Sequence, residues 1–114
     1  MTTVLTAWTE ATGREGRPER KERIWSLAKR SMGSSTAAYV YPYDDEERDK
    51  KAWMYVLVKA MAQDLSITEE ALRASVEAAG LALEDDVWID ISTPEAANRA
   101  AAWIKAVYSK PTAA

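Results

Sequence analysis

The sequence predicts an α+β domain, mostly helical, in which four to five helices accompany a small sheet of two or three strands. Three observations predict it. Apolar residues recur at helical spacing, with recognisable starts and stops, over 18–32, 44–61, 68–79 and 93–108. Two short stretches, YVYPY at 39–43 and VWIDI at 87–91, alternate with period two instead. The chain of 114 residues is 47% hydrophobic and 29% charged, which suits one globular domain with a core of its own. That domain is expected to span residues 1–108, with 109–114 as a flexible tail.

The elements follow in chain order. Val4, Leu5, Trp8 and Ala11 fit one face of a short helix, although the threonine-rich start also admits an edge strand over 2–8. Pro18 suits the first turn of a second helix, because its missing N–H has no intrahelical partner there. Ile24, Trp25, Leu27, Ala28 and Met32 would form the buried stripe of that helix, and Gly33 its left-handed stop.

Tyr39, Tyr41 and Tyr43 share one face if 39–43 is a strand. Pro42 cannot donate to a ladder, so it marks an edge or an end. Asp44 resembles an N-cap, and Asp45, Glu46 and Glu47 would then occupy a first helical turn, where the positive end of the backbone favours anions. From Ala52 to Val58 every residue is apolar or tyrosine, as in a helix central to its domain.

Thr68 caps the next helix, with Leu72, Val76 and Ala79 on its buried side and Gly80 at its end. In VWIDI, Val87, Ile89 and Ile91 point one way and Trp88 and Asp90 the other. The last helix begins at Thr93-Pro94-Glu95, and Ala97, Ala100, Ala101, Trp103, Ile104, Val107 and Tyr108 line its apolar face. A pair of helices between the two strands would return the chain to its starting end. An antiparallel pairing of 39–43 with 87–91 is therefore expected.

Composition excludes several chemistries. The chain has no cysteine and no histidine. Thiolate nucleophiles, disulfides and the commonest zinc ligands are absent, as are the commonest general acid–base group and the usual near-neutral pH switch. A metal would have to be held by oxygen alone. Asp86 and Asp90 would lie roughly 13 Å apart on a regular strand, too far for one Mg²⁺ with ligands at about 2.1 Å. No phosphate-loop or dinucleotide pattern surrounds Gly13 and Gly16. No metal, cofactor or catalytic residue is assigned, and the chain is read as not an enzyme.

Charge is unevenly spread. The net charge is −3, yet residues 10–30 balance to +3 and residues 31–114 to −6. Such polarity favours docking to a charged partner or to a second copy of the chain. The leading expectation is a protein-binding module: a small inhibitor, adaptor or accessory factor. Its contacts would be Tyr39, Tyr41, Tyr43 and Trp88. Asp44, Asp45, Glu46, Glu47, Glu84, Asp85 and Asp86 would form an acidic rim suited to a basic surface, or one that imitates nucleic-acid phosphates.

The alternative is a nucleic-acid-binding regulator using Arg17, Arg20, Lys21, Arg23, Lys29 and Arg30. It ranks second because four glutamates interrupt the basic segment and the whole chain is acidic. A homodimer is a further candidate. No apolar run approaches the length that spans a bilayer, and no secretory leader is recognisable, so a soluble cytoplasmic protein without a membrane partner is expected.

Overall fold

A half-buried strand covers every second side chain. Val40, Met54, Val56 and Ile89 are fully buried, while Tyr39, Tyr41, Trp53, Tyr55, Trp88 and Asp90 between them are only half-buried. The computed structural model, which describes residues 2–19, 24–30, 36–41, 52–85 and 87–108, shows why. Five strands, β1 (Arg17–Glu19), β2 (Ile24–Ala28), β3 (Thr36–Tyr41), β4 (Trp53–Val56) and β5 (Trp88–Asp90), form one antiparallel sheet in chain order. Four helices complete the fold: α1 (Thr2–Thr12), α2 (Val58–Leu65), α3 (Glu69–Ala78) and α4 (Pro94–Tyr108).

Several expectations are corrected. The sheet has five strands, not two or three. The segment expected as a helix over 18–32 contributes β1 and β2, which pair with each other, with Pro18 opposite Trp25. Its Glu, Arg and Lys residues favour a helix locally, but pairing of β2 with β3 is a long-range gain that local propensity does not contain. The apolar run 52–58 is likewise strand first and helix second. Met54 and Val56 face the core, Trp53 and Tyr55 face away, and the chain turns at Leu57 into α2. The expected pairing of 39–43 with 87–91 does not occur, because β4 lies between β3 and β5 and makes those two parallel. Residues 2–8 are helix, not a third strand. The acid block 44–47, Gly33, Pro42, Tyr43 and the tail 109–114 lie outside the described residues.

The core lies between the sheet and the helices. Leu27, Ala38, Val40, Met54, Val56 and Ile89 of the strands form one cluster with Val4 and Trp8 of α1, Met61 of α2, Leu72 of α3, and Trp103 and Ile104 of α4. At the β2–β3 edge the register shifts between Leu27 and Ala28, and Ala37 is the extra residue of the resulting bulge. Gly16 comes so close to this layer that a Cβ there would sit 3.1 Å from Leu5 Cδ2 and 3.3 Å from Leu27 Cδ2. Only hydrogen fits without displacement.

Two helix ends behave as expected. Thr68 Oγ1 accepts the Ala71 backbone N–H at 3.0 Å, and Glu69 and Glu70 occupy the first turn of α3. Its far end closes with Gly80 N–H donating to Glu77 O (3.0 Å) and Leu81 N–H to Val76 O (3.2 Å), a Schellman arrangement that requires the left-handed φ of +80° at Gly80.

Polar groups lock the layers. Trp8 Nε1–H donates to Ala28 O at 3.1 Å, fixing α1 to the end of β2. Trp103 Nε1–H donates to Ser75 Oγ at 2.9 Å, fixing α4 to α3. Asp64 in α2 is only 2% exposed, and its Oδ2 accepts the Arg30 backbone N–H at 2.7 Å. The Arg30 guanidinium lies 5.1 Å from the Tyr108 ring centre, and its Nη1–H donates to Tyr108 O at 2.9 Å. Tyr108 in turn meets Trp8 edge-on, with ring centres 4.9 Å apart. This knot joins α1, α2, α4 and the end of β2.

Two predictions follow from the knot. Asp64→Ala strips a buried amide of its acceptor and should cost about 2 kcal/mol in urea unfolding, with Asp64→Asn losing less. Burial, then the negative charge of Asp64, push the Tyr108 phenol well above the ordinary tyrosine range, against the opposing charge of Arg30. Unfolded Tyr108 loses its proton around pH 10.0 while the folded form keeps it, so this contribution to stability is intact below that pH and falls as pH rises past it. Tyr108→Phe should flatten the slope of unfolding free energy against pH between about pH 9 and about pH 11.

Candidate functional site

The strand register places aromatic side chains together on the sheet face opposite the helices. Ser26 pairs with Tyr39, Tyr39 with Tyr55, and Tyr55 with Trp88, so these four form one row across β2 to β5. Tyr41, Trp53 and Asp90 form the neighbouring row. Directly opposed side chains sit close enough to touch, and diagonal ones remain within reach of large rings.

Trp88 is the hub. Its ring centre lies 4.7 Å from that of Tyr55, 5.3 Å from that of Tyr41 and 6.0 Å from that of Trp53. The Tyr55 and Trp53 contacts are edge-to-face and the Tyr41 contact is tilted, geometries that match ring edges to ring faces. The helices bury their apolar sides on the other face, and none of these aromatics belongs to the core cluster. Each is half-buried.

Acidic groups stand beside the hub. Glu84 and Trp88 exchange backbone hydrogen bonds of 2.7 and 2.9 Å around a tight turn, and Glu84 and Asp85 there are exposed. Asp85 adopts a left-handed φ of +51°, a conformation that aspartate tolerates better than most residues. Asp90 sits on the same face as Trp88, and its Oδ1 accepts the Ser92 backbone N–H at 2.9 Å. Beyond Tyr55, a shallow groove of about 450 Å³ continues over Leu57, Lys59, Gln63 and Arg73.

The opposite end of the sheet carries two arginines together with Glu15. Arg17 pairs with Ser26 and so extends the first row to β1, and Arg14 lies just before that strand.

The structure brings together Tyr39, Tyr41, Trp88, Glu84 and Asp85 of the expected contact set. Tyr43, Asp44, Asp45, Glu46, Glu47 and Asp86 lie outside the described residues. Of the expected basic contacts, Arg17 is exposed, Arg30 is committed to Tyr108, and the Lys29 carbonyl accepts from Arg14 Nη1–H at 2.9 Å. Arg20, Lys21 and Arg23 lie outside the described residues.

Trp53 and Tyr55 were not among the expected contacts, because 52–58 reads as a helix central to the domain. The available signal was the alternation of aromatic and aliphatic residues in WMYV, which suits a two-sided strand. Among the described residues, no group of three or more acidic side chains could hold a metal ion, and no helix is long and apolar enough to cross a membrane. No family model, curated protein or solved structure matches the chain.

The aromatic cluster is a surface feature and not part of the core, which has a measurable consequence. Trp88→Ala should cost ~1.5 kcal/mol in urea unfolding, the scale of a typical single substitution. Trp103→Ala, at a site only 2% exposed, should cost about 4 kcal/mol.

Proposed function

We propose that this chain is a non-enzymatic protein-binding module that receives an arginine- or lysine-bearing segment of another protein on its aromatic sheet face. One observation carries the reading: Trp88, in contact with three rings on the face opposite the described helices, is bridged through its backbone to Glu84 at a turn where Glu84 and Asp85 are exposed. A cation stacked on an indole face is attracted by the ring's quadrupole, and nearby carboxylates add charge attraction without having to be buried. Tyrosine and tryptophan give large contact area at low entropy cost, since both have few rotatable bonds and these are already packed against each other. The sequence lacks histidine, the commonest acid–base group, and cysteine, the thiol nucleophile. An inhibitor, adaptor or accessory factor of the cytoplasm fits this reading, including one whose acids imitate phosphates on a basic target.

Single-stranded nucleic acid is the second reading, favoured by Arg14 and Arg17 at the β1 end of the same face. Bases would stack on the aromatic rings, but the phosphates between them would meet Glu84, Asp85 and Asp90 at the other end.

The test uses tryptophan fluorescence of the full chain titrated with a short arginine-rich peptide, a glutamate-rich peptide and a single-stranded oligonucleotide. The basic peptide should bind saturably, and Tyr41→Ala with Trp88→Ala should weaken it about tenfold or more. Glu84→Gln with Asp85→Asn should weaken it about threefold, an effect that fades at high salt. Tighter binding of the oligonucleotide than of the peptide would reverse the order of the two readings. Peptide binding unaffected by the Tyr41 and Trp88 substitutions would refute the proposed surface.

A further inference from the structure

We infer that the cleft at the β1 end of the sheet is a binding site for a phosphate group, free or carried as a phosphomonoester. This site stands apart from Trp88 and does not depend on what occupies the aromatic rings. The cleft has a volume of about 220 Å³ and is lined by Gly13, Arg14, Glu15, Arg17, Ser26 and Thr36, among others. Its walls come from the loop after α1, from β1, and from the bulged ends of β2 and β3.

Arg14 is already positioned. Its backbone N–H donates to Thr12 Oγ1 at 3.2 Å and its Nη1–H donates to Lys29 O at 2.9 Å. A guanidinium has five N–H donors, so this anchor fixes the group in place and uses one of them. An anchored side chain loses less freedom when a ligand binds than a free surface arginine does.

Arg17 brings the second guanidinium. It projects from the same face as Ser26, since the two are directly opposed in the register, and it is exposed to solvent. Two arginines lining one cleft suit an anion with several oxygens and more than one charge, because a guanidinium fork can take a pair of oxygens.

Ser26 supplies a neutral donor. The residue is 6% exposed, and among the described residues its hydroxyl donates to Arg17 O alone, at 3.5 Å, the outer limit of a hydrogen bond. The hydroxyl can turn toward a ligand oxygen at little cost. Thr36 offers a second hydroxyl across the cleft. At Gly13, which has a φ of +76°, no atom of the described residues lies within 4 Å of the position a Cβ would take.

Glu15 also lines the cleft and opposes an anion. It leaves the three charged groups with a net charge of +1, enough to attract phosphate but not to trap it. Its presence gives the inference a sign that can be checked.

The experiment follows backbone amide shifts of the labelled full chain at constant ionic strength. Inorganic phosphate, phosphoserine and acetate are added in separate titrations. Saturable shifts at Gly13, Arg17, Ser26 and Thr36 with inorganic phosphate, absent with acetate, are the expected result. Saturation by phosphoserine alone also supports the site and identifies an ester as its natural form.

Arg17→Ala, on an exposed strand end, should weaken binding about tenfold without changing the melting temperature. Arg14→Lys keeps the charge but loses the fork and should weaken binding about fivefold. Glu15→Gln should tighten it about threefold. Shifts that stay linear, that acetate reproduces, or that persist at unchanged affinity in Arg17→Ala overturn the inference. Such a failure leaves the aromatic-face proposal untouched, because that one is read at Trp88.

Discussion

The register between β2, β3, β4 and β5 is the constraint on which the rest of this molecule depends. Side chains alternate strictly along a strand, so a slip of one residue would exchange the two faces. In the observed register Leu27, Ala38, Val40, Met54, Val56 and Ile89 all meet the helices. One step away, Tyr39, Tyr41, Trp53, Tyr55 and Trp88 would have to be buried, with Asp90 among them. The hydrophobic gain on one face therefore fixes the aromatic arrangement on the other.

The helices are attached by a few directional bonds set within that apolar layer. The bonds made by Trp8, Asp64 and Trp103 each join elements distant in sequence, and each fills a buried polar group that would otherwise destabilise the core. Arg30 illustrates the consequence for function. A residue that belongs to the basic segment of the sequence is drawn into the knot around Tyr108 and serves packing, while Arg14 and Arg17 remain at the cleft.

The outer face combines three chemistries in a short distance. Guanidinium groups lie at the β1 end, stacked rings in the middle and carboxylates at the β5 turn. A strand order that follows the chain order makes this possible, because Arg17 and Trp88 stand on the strands at opposite edges of the sheet. The rings add specificity by shape, and the charges set the direction in which an elongated ligand would lie.

Some of this was determined by sequence alone. The caps and stripes around Thr68, Gly80 and Pro94 define α3 and α4 because their signals are local, contained within a few turns of backbone. The alternation in VWIDI likewise marks β5 and turns Trp88 away from Ile89 and Ile91. The stretches 18–32 and 52–58 were not legible in the same way. Their apolar residues fit a broad helical stripe and a strand equally, and only pairing with β3, a partner absent from either stretch, decides between them. The tyrosines and Trp88 were recognisable as candidates, but their union with Trp53 and Tyr55 was not. Tertiary structure decided that, because a contact across strands depends on register, and register is a property of the whole sheet.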